Sequence, residues 1–204
     1  VSDPGWLVAG LGNPGPGYAR TRHNLGYRVA DELAHEVGGQ WRTQRVRRAH
    51  VAVGRVRAGE RALGVVLVKP LSFMNESGGP VAAVAAYYRT PLERLVVVHD
   101  ELDLEFGTVR LKFGGGDGGH NGVRSLRRFL GSGDFFRVRV GIGRPPGRQD
   151  AADFVLSEFT ASERDEAARV VASASDAVLS LLREGIGPTQ SRFHGPGTPP
   201  DKSL

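Results

Sequence analysis

Leu7-Val8-Ala9, Val65-Val66-Leu67-Val68 and Leu95-Val96-Val97-Val98 are short runs, apolar without a break. A strand with one wet face alternates, whereas a continuous run suits a strand covered on both faces. Between the runs, apolar residues recur at helical spacing. Leu25, Val29, Leu33 and Val37 lie four apart and stop at Gly38-Gly39. Ser77 and Pro80 open a second helix carrying Val81, Val84, Ala85 and Tyr88. Strand and helix in alternation predict an α/β fold: a single domain whose mixed, mostly parallel β-sheet is flanked by helices on both faces.

The remaining elements fit this plan. His50 to Arg57 alternates, as do Val138, Val140 and Ile142, and Val109 to Phe113 reads as another strand. A glycine loop, GGGDGGHNG, leads into a helix carrying Val123, Leu126 and Leu130, ended by Gly131. Thr160-x-x-Glu163 is a capping box. It starts the longest helix, with Val170, Val171, Ala174, Ala177, Val178 and Leu181 on one face and Gly185 past its end. The domain is therefore expected over 1–187. Pro188 to Leu204 is rich in Gly, Pro and Ser, and is expected to be a flexible tail.

Gly10, Gly12 and Gly15 spell G-x-G-x-x-G directly after the first strand, the spacing of a dinucleotide cradle. That site needs a helix to begin inside the glycine loop, so that its N-terminus meets the pyrophosphate. Pro14, Pro16 and Gly17 interrupt such a start, and the helical pattern waits until about Arg22. No Gly-Lys-Ser/Thr follows, so a P-loop is absent as well. The absence of Cys excludes disulfides, thiolate metal sites and a Cys nucleophile. No apolar run approaches the ~20 residues of a membrane span, and the polar opening Val1 to Gly5 carries no signal-peptide pattern. The expectation is a soluble, cytoplasmic protein without a cofactor.

Net charge is +5, and Arg42, Arg45, Arg47, Arg48, Arg55, Arg57 and Arg61 face only Glu60 in their window. A polyanionic partner accounts for this, as does a solvated basic surface.

The polar residues cluster where strands end. Asn13 follows the first strand, Asn75 lies on the loop KPLSFMNESG after the second, and His99-Asp100 close the third. His23 and Asn24 stand at the first turn of the next helix, and His120 and Asn121 on the glycine loop. Ligands of open α/β sheets gather outside the carboxyl ends of strands. If those strands run parallel, Asn13, His23, Asn75 and Asp100 converge, and Asn121 joins through its loop. A His with a carboxylate is the minimal general-base pair, and asparagine amides can donate to a developing oxyanion. No G-x-S-x-G is present, and nothing in their spacing recommends Ser72 or Ser77 as nucleophile over water. Plain structural readings stand beside this one: His23 as a helix cap, Asn13 and Asn24 as turn residues, Asp100 as a cap. The stretch HDELD, His99 to Asp103, is dense enough for a divalent ion but has no clear partner ligands elsewhere, so no metal is assigned.

Together, GLGNPGPGYARTRHNLG, KPLSFMNESG, VVVHDELDLEFGTVRLKFGGGDGGHNG and FRVRVGIGRP resemble bacterial peptidyl-tRNA hydrolase, in matching order from about Leu7 to Glu184. The resemblance implies a cytoplasmic, cofactor-free monomer. It would hydrolyse the ester between a peptide and the 3′ ribose of tRNA, recycling tRNA from stalled translation. It makes His23 the catalytic base and Asp100 its partner. Asn13 would recognise the peptide end, and Asn75 and Asn121 would hold substrate and water. Tyr18 and Phe73 would line the cleft near the terminal nucleotide, with His120 bordering it. Lys112 and Arg139 match positions that contact tRNA phosphate. Asp117 stands where relatives often carry His or Glu, and receives no role. Two other readings remain open: a nucleoside-cleaving hydrolase or phosphorylase on a related scaffold, and a non-catalytic RNA-binding module.

Overall fold

The computed structural model describes residues 5–194. Seven strands form one sheet: β1 (Trp6–Gly10), β2 (Arg42–Gln44), β3 (Ala49–Ala58), β4 (Arg61–Pro70), β5 (Leu95–Glu101), β6 (Val109–Phe113) and β7 (Phe136–Gly141). Their order is β2-β3-β4-β1-β5-β7-β6. The four central strands, β4, β1, β5 and β7, run parallel. The edges are antiparallel, β2-β3-β4 on one side and β6 against β7 on the other.

The three short apolar runs fall in β1, β4 and β5, and their residues divide strictly by parity. Val8, Val65, Leu67, Val96 and Val98 pack into one core with Leu25, Val29 and Leu33 of α1 (Leu25–Glu36) and the apolar face of α5 (Arg164–Glu184). Leu7, Ala9, Val66, Val68, Leu95 and Val97 pack into another with α2 (Gly78–Tyr88) and α3 (Asn121–Leu130). Successive side chains point to opposite faces of a strand, so a run with two dry faces must be apolar throughout.

The opening glycines serve packing. A Cβ on Gly10 would stand 2.2 Å from the Gly26 carbonyl oxygen, and one on Gly12 would stand 2.7 Å from the Tyr27 ring. Gly26 itself sits where a Cβ would lie 2.4 Å from the Val98 carbonyl oxygen. Helix α1 thus lies directly on β1 and β5, closer than any side chain permits. Gly15 supplies a turn at φ 103°, a left-handed value that favours glycine.

The structure corrects the sequence reading at the C-terminus. The segment after Gly187 does not begin as a tail: Ile186–Phe193 form α6. Pro188 falls in its first turn, where a missing N–H does no harm. Thr189 is fully buried and exchanges a 2.9 Å hydroxyl hydrogen bond with Ser180 of α5. Strand β6 is a sheet edge, and the outward backbone groups of Leu111 are taken up by this segment. Gln190 Nε2 donates to the Leu111 carbonyl at 2.9 Å, and the Leu111 N–H donates to His194 Nε2 at 2.8 Å. Edge pairing outweighs the Gly/Pro composition. The rest of the expected tail, 195–204, lies outside the described residues.

Two short elements also escaped the periodicity. Strand β2 is only three residues long, and α4 (Ala151–Val155) only five.

Candidate active site

Beyond the carboxyl ends of β1, β4 and β5 lies a cleft of about 800 Å³, whose lining includes Asn13, Tyr18, His23, Phe73, Asn75, Asp100, His120 and Asn121. All eight cleft residues named from sequence therefore meet in one place.

His23 is carried on a single 3-10 turn, Arg22–Asn24, which leads into α1. The turn is fastened at its back. Arg22 lies 4.5 Å over both the Phe154 and Phe159 rings and pairs with Glu163 at 2.8 Å. Its backbone N–H donates to Ser157 at 3.0 Å. The close seat of Gly26 on β5 then brings the imidazole to the last residues of that strand. His23 Nδ1 donates to Asp100 Oδ1 at 2.8 Å and lies 3.0 Å from Oδ2. Nε2 is left as the basic nitrogen. Burial pulls the imidazole pKa down, and the charge and hydrogen bond of Asp100 together more than reverse this, leaving it raised above 6.5.

Asp100 serves two rings. His120 Nε2 also donates to Oδ1, at 3.0 Å. His120 Nδ1 accepts the backbone N–H groups of Gly122 and Val123, capping α3. The cap fixes the His120 tautomer, because a nitrogen that accepts cannot carry the proton. Burial pushes the Asp100 carboxyl up, but His23 and His120 hold it well below the usual carboxylate range. Ligand atoms of His23, Asp100 and His120 lie within 4.8 Å of one another, the one such group among the described residues. Both rings spend an N–H on the carboxylate, so the cluster is already satisfied as a hydrogen-bonded triad.

Asn13 is buried and held from three directions. Asn24 accepts the Asn13 N–H at 2.9 Å and donates to its carbonyl at 3.0 Å, a two-point clamp. The Met74 N–H donates to Asn13 Oδ1 at 2.7 Å. With Oδ1 engaged, the amide NH₂ is the end left for the cleft. Tyr18 and Phe73 meet edge to face at 6.0 Å on the rim, and Asn75 and Asn121 are exposed there.

Among the described residues, no Ser, Thr, Cys or Lys lines this cleft. Ser72 and Ser77, weighed as nucleophiles, are buried away from it.

Lys112 and Arg139 lie outside the cleft, on the β6–β7 ladder. There Arg110 stands opposite Arg139, and Lys112 opposite Arg137. Directly opposed residues share a face, and i, i+2 residues do too, so four cations occupy one face of this antiparallel edge pair. Burial, with Arg127 and Arg139 nearby, lowers the Arg137 guanidinium to about 10. Like charges placed opposite one another are unfavourable. The Arg137 side chain is tied to the glycine loop through the Gly115 carbonyl at 2.7 Å and that of Gly116.

The family profile of peptidyl-tRNA hydrolase matches residues 7–201. The chain belongs to this family. A peptidyl-tRNA hydrolase of Frankia casuarinae is 57% identical over 194 residues, 95% of this chain and 96% of that one. One of Mycolicibacterium smegmatis is 52% identical over 188 residues, 92% of this chain and 96% of its own. The crystal structure of peptidyl-tRNA hydrolase from Acinetobacter baumannii superposes with a TM-score of 0.84 at 32% identity, covering 93% of this chain and 94% of that one. The mixed sheet with helices on both faces is thus the peptidyl-tRNA hydrolase fold.

Sequence reasoning missed several neighbours of the site. Asn24, placed with the polar residues near the strand ends and as a turn or cap residue, received no site role, yet it clamps Asn13. His99 is buried against His120, ring centroids 4.6 Å apart, and its Nδ1 donates to the Asp100 carbonyl at 2.7 Å. Burial, then the charge of His120, holds its pKa well below 6.5. Arg144 and the stretch Ala151 to Leu156 add a wall that no periodicity announced. Asp117, left without a role, accepts the Gly119 N–H at 2.9 Å and pairs with Arg124 at 3.3 Å, bracing the glycine loop. Among the described residues no helix is long and apolar enough to cross a membrane.

Proposed function

We propose that this protein cleaves the ester joining a peptide to the 3′ ribose of tRNA by attack of a water that His23 deprotonates. The observation that carries the reading is the cleft itself: among the described residues it holds a His–Asp pair with a basic Nε2 and no hydroxyl, thiol or amine of Ser, Thr, Cys or Lys. Water passes its proton to Nε2 as its oxygen bonds the ester carbon. Asp100 stabilises the imidazolium that forms. The Asn13 NH₂ donates to the carbonyl group of the peptide end, the natural point for separating N-blocked from free aminoacyl esters. Collapse of the tetrahedral adduct breaks the bond to the ribose oxygen, which takes the proton back from Nε2. Tyr18 and Phe73 hold the terminal nucleoside, with Asn75, Asn121 and His120 bordering it. Lys112 and Arg139, with Arg110 beside them, meet tRNA phosphate, which gives affinity without sequence readout. No step calls for a metal or cofactor, and the protein acts as a cytoplasmic monomer.

The test is His23→Ala with N-blocked aminoacyl-tRNA. General-base catalysis supplies roughly 10²–10⁴ in rate, about 3–5 kcal/mol. Turnover is expected to fall by at least ~10² while affinity for tRNA stays within a few-fold. Undiminished turnover removes His23 from its role. Equal loss of binding, with the fold intact, favours an RNA-binding module, and release of free base from the nucleoside favours the glycosidic reading.

A further inference from the structure

The arginine-rich window of the sequence is not absorbed by the cleft or by the β6–β7 face. Part of it forms a second concavity of about 350 Å³, where the 3-10 turn Arg45–Arg47 faces the start of α2 and the end of α3. Its charged lining is Arg47, Arg48, Arg128 and Glu76. Glu76 pairs with Arg48 at 3.6 Å, both side chains more than half exposed, so the rim stays net positive. One aromatic ring lines the concavity. Phe129 is 52% exposed, with the Arg128 guanidinium 5.0 Å from its ring centre. Arg47 stacks 3.7 Å over the exposed ring of Tyr87, which lies outside the groove's lining. Guanidinium groups beside a half-exposed ring suit an unpaired nucleotide: phosphate on the cations, base on the exposed part of the ring.

The position matters as much as the chemistry. The turn Met74–Glu76 lends Asn75 to the cleft and Glu76 to this groove, and α3 runs from Asn121 at the cleft to Arg128 in the groove. Seven helical residues span ~10 Å, about three nucleotides of a stacked strand at 3.4 Å each. Arg124 stands exposed between the two along that helix.

We infer that the groove between the Arg45–Arg47 turn and the α2–α3 pair is a second RNA subsite, taking an unpaired nucleotide of the substrate tRNA a few positions from the ester. The inference rests on the tRNA reading above and adds a contact to it. The occupant is the strand already anchored in the cleft, and the net positive groove with Phe129 in its lining complements it.

Deacylated tRNA, which carries no ester, measures binding apart from catalysis. Arg47→Glu with Arg128→Glu is expected to weaken its binding at least ~5-fold and to lower the salt slope by about two. Phe129→Ala is expected to weaken it by about 5- to 150-fold, the range for losing one stacked base. Hydrolysis of an N-blocked aminoacyl adenosine, too short to reach the groove, stays within twofold. Arg47→Lys with Arg128→Lys retains most of the affinity. Unchanged tRNA affinity overturns the subsite. Equal loss on the adenosine ester overturns it too, since the damage then lies in the cleft. Binding of an acidic peptide that the Glu variant abolishes, with tRNA affinity intact, assigns the groove to a protein partner instead. If the wild type binds tRNA through the groove yet hydrolyses no ester, the subsite stands and the catalytic reading fails.

Discussion

His120 accepts two backbone N–H groups of α3 on Nδ1 and gives its Nε2 proton to Asp100 at 3.0 Å. One ring therefore connects the start of a helix to the carboxylate that braces His23. Removing it takes a donor from a buried anion and a cap from a helix. His120→Ala is expected to cost about 1–3 kcal/mol of stability and to lower kcat. His120→Asn, with a short acceptor for the cap, is expected to recover stability more than rate. Thermal melts beside steady-state kinetics separate the two, and full kinetic recovery in the Asn variant would refute the link to Asp100.

Asp100 raises the His23 pKa against the pull of burial. A general base works when deprotonated, so kcat/KM should rise with pH through a value above 6.5, the ordinary His value. Asp100→Asn removes the charge and leaves burial to act alone. The limb should then move below 6.5, with the rate down by at least ~10². The pH–rate profiles of both proteins decide this. An unmoved limb at an unchanged rate contradicts the pairing.

The clamp of Asn24 on Asn13 uses both backbone groups of a buried residue. Asn24→Ala leaves an N–H and a carbonyl unpaired, which destabilises by about 1–3 kcal/mol for each group not reached by water. It also loosens Asn13. The expected kinetic signature is reduced preference for N-blocked over free aminoacyl esters, read as the ratio of kcat/KM values. A stability loss with that ratio intact would make the clamp purely structural.

Opposed cations on β6 and β7 predict a strong salt effect. Lys112→Ala and Arg139→Ala should each lower the slope of log affinity against log salt by about one. Hydrolysis of a short ester-linked fragment should hardly change. A slope that stays at the wild-type value removes that residue from phosphate contact.

Helix α6 makes a direct stability prediction. Ending the chain after Gly187 strips the Leu111 edge of Gln190 and His194 and exposes Ser180. A loss of about 2 kcal/mol or more follows from the unmet edge groups. For a domain of this size that corresponds to about 4–8 °C in Tm. An unshifted calorimetric transition would restore the view of this segment as a dispensable tail.

The local pattern of residues determined most of the scaffold. Short apolar runs rich in Val and Leu marked the strands with two dry faces, and Thr160 with Glu163 does form the predicted capping box ahead of α5. Short elements such as β2 and α4 carry too few residues for a period, and α6 is set by its docking on β6 rather than by its composition. The site divides the same way. Polar residues at strand ends marked Asn13, His23, Asn75 and Asp100 as candidates. Which of them touch was decided by parallel β1, β4 and β5, and by two glycines, Gly10 and Gly26, that let α1 settle on the sheet. The Met74 N–H on Asn13, and the Gly122 and Val123 N–H groups on His120, were hidden because backbone N–H groups leave no mark in a sequence. The face shared by Arg110, Lys112, Arg137 and Arg139 follows from strand register, and register exists only once the chain has folded.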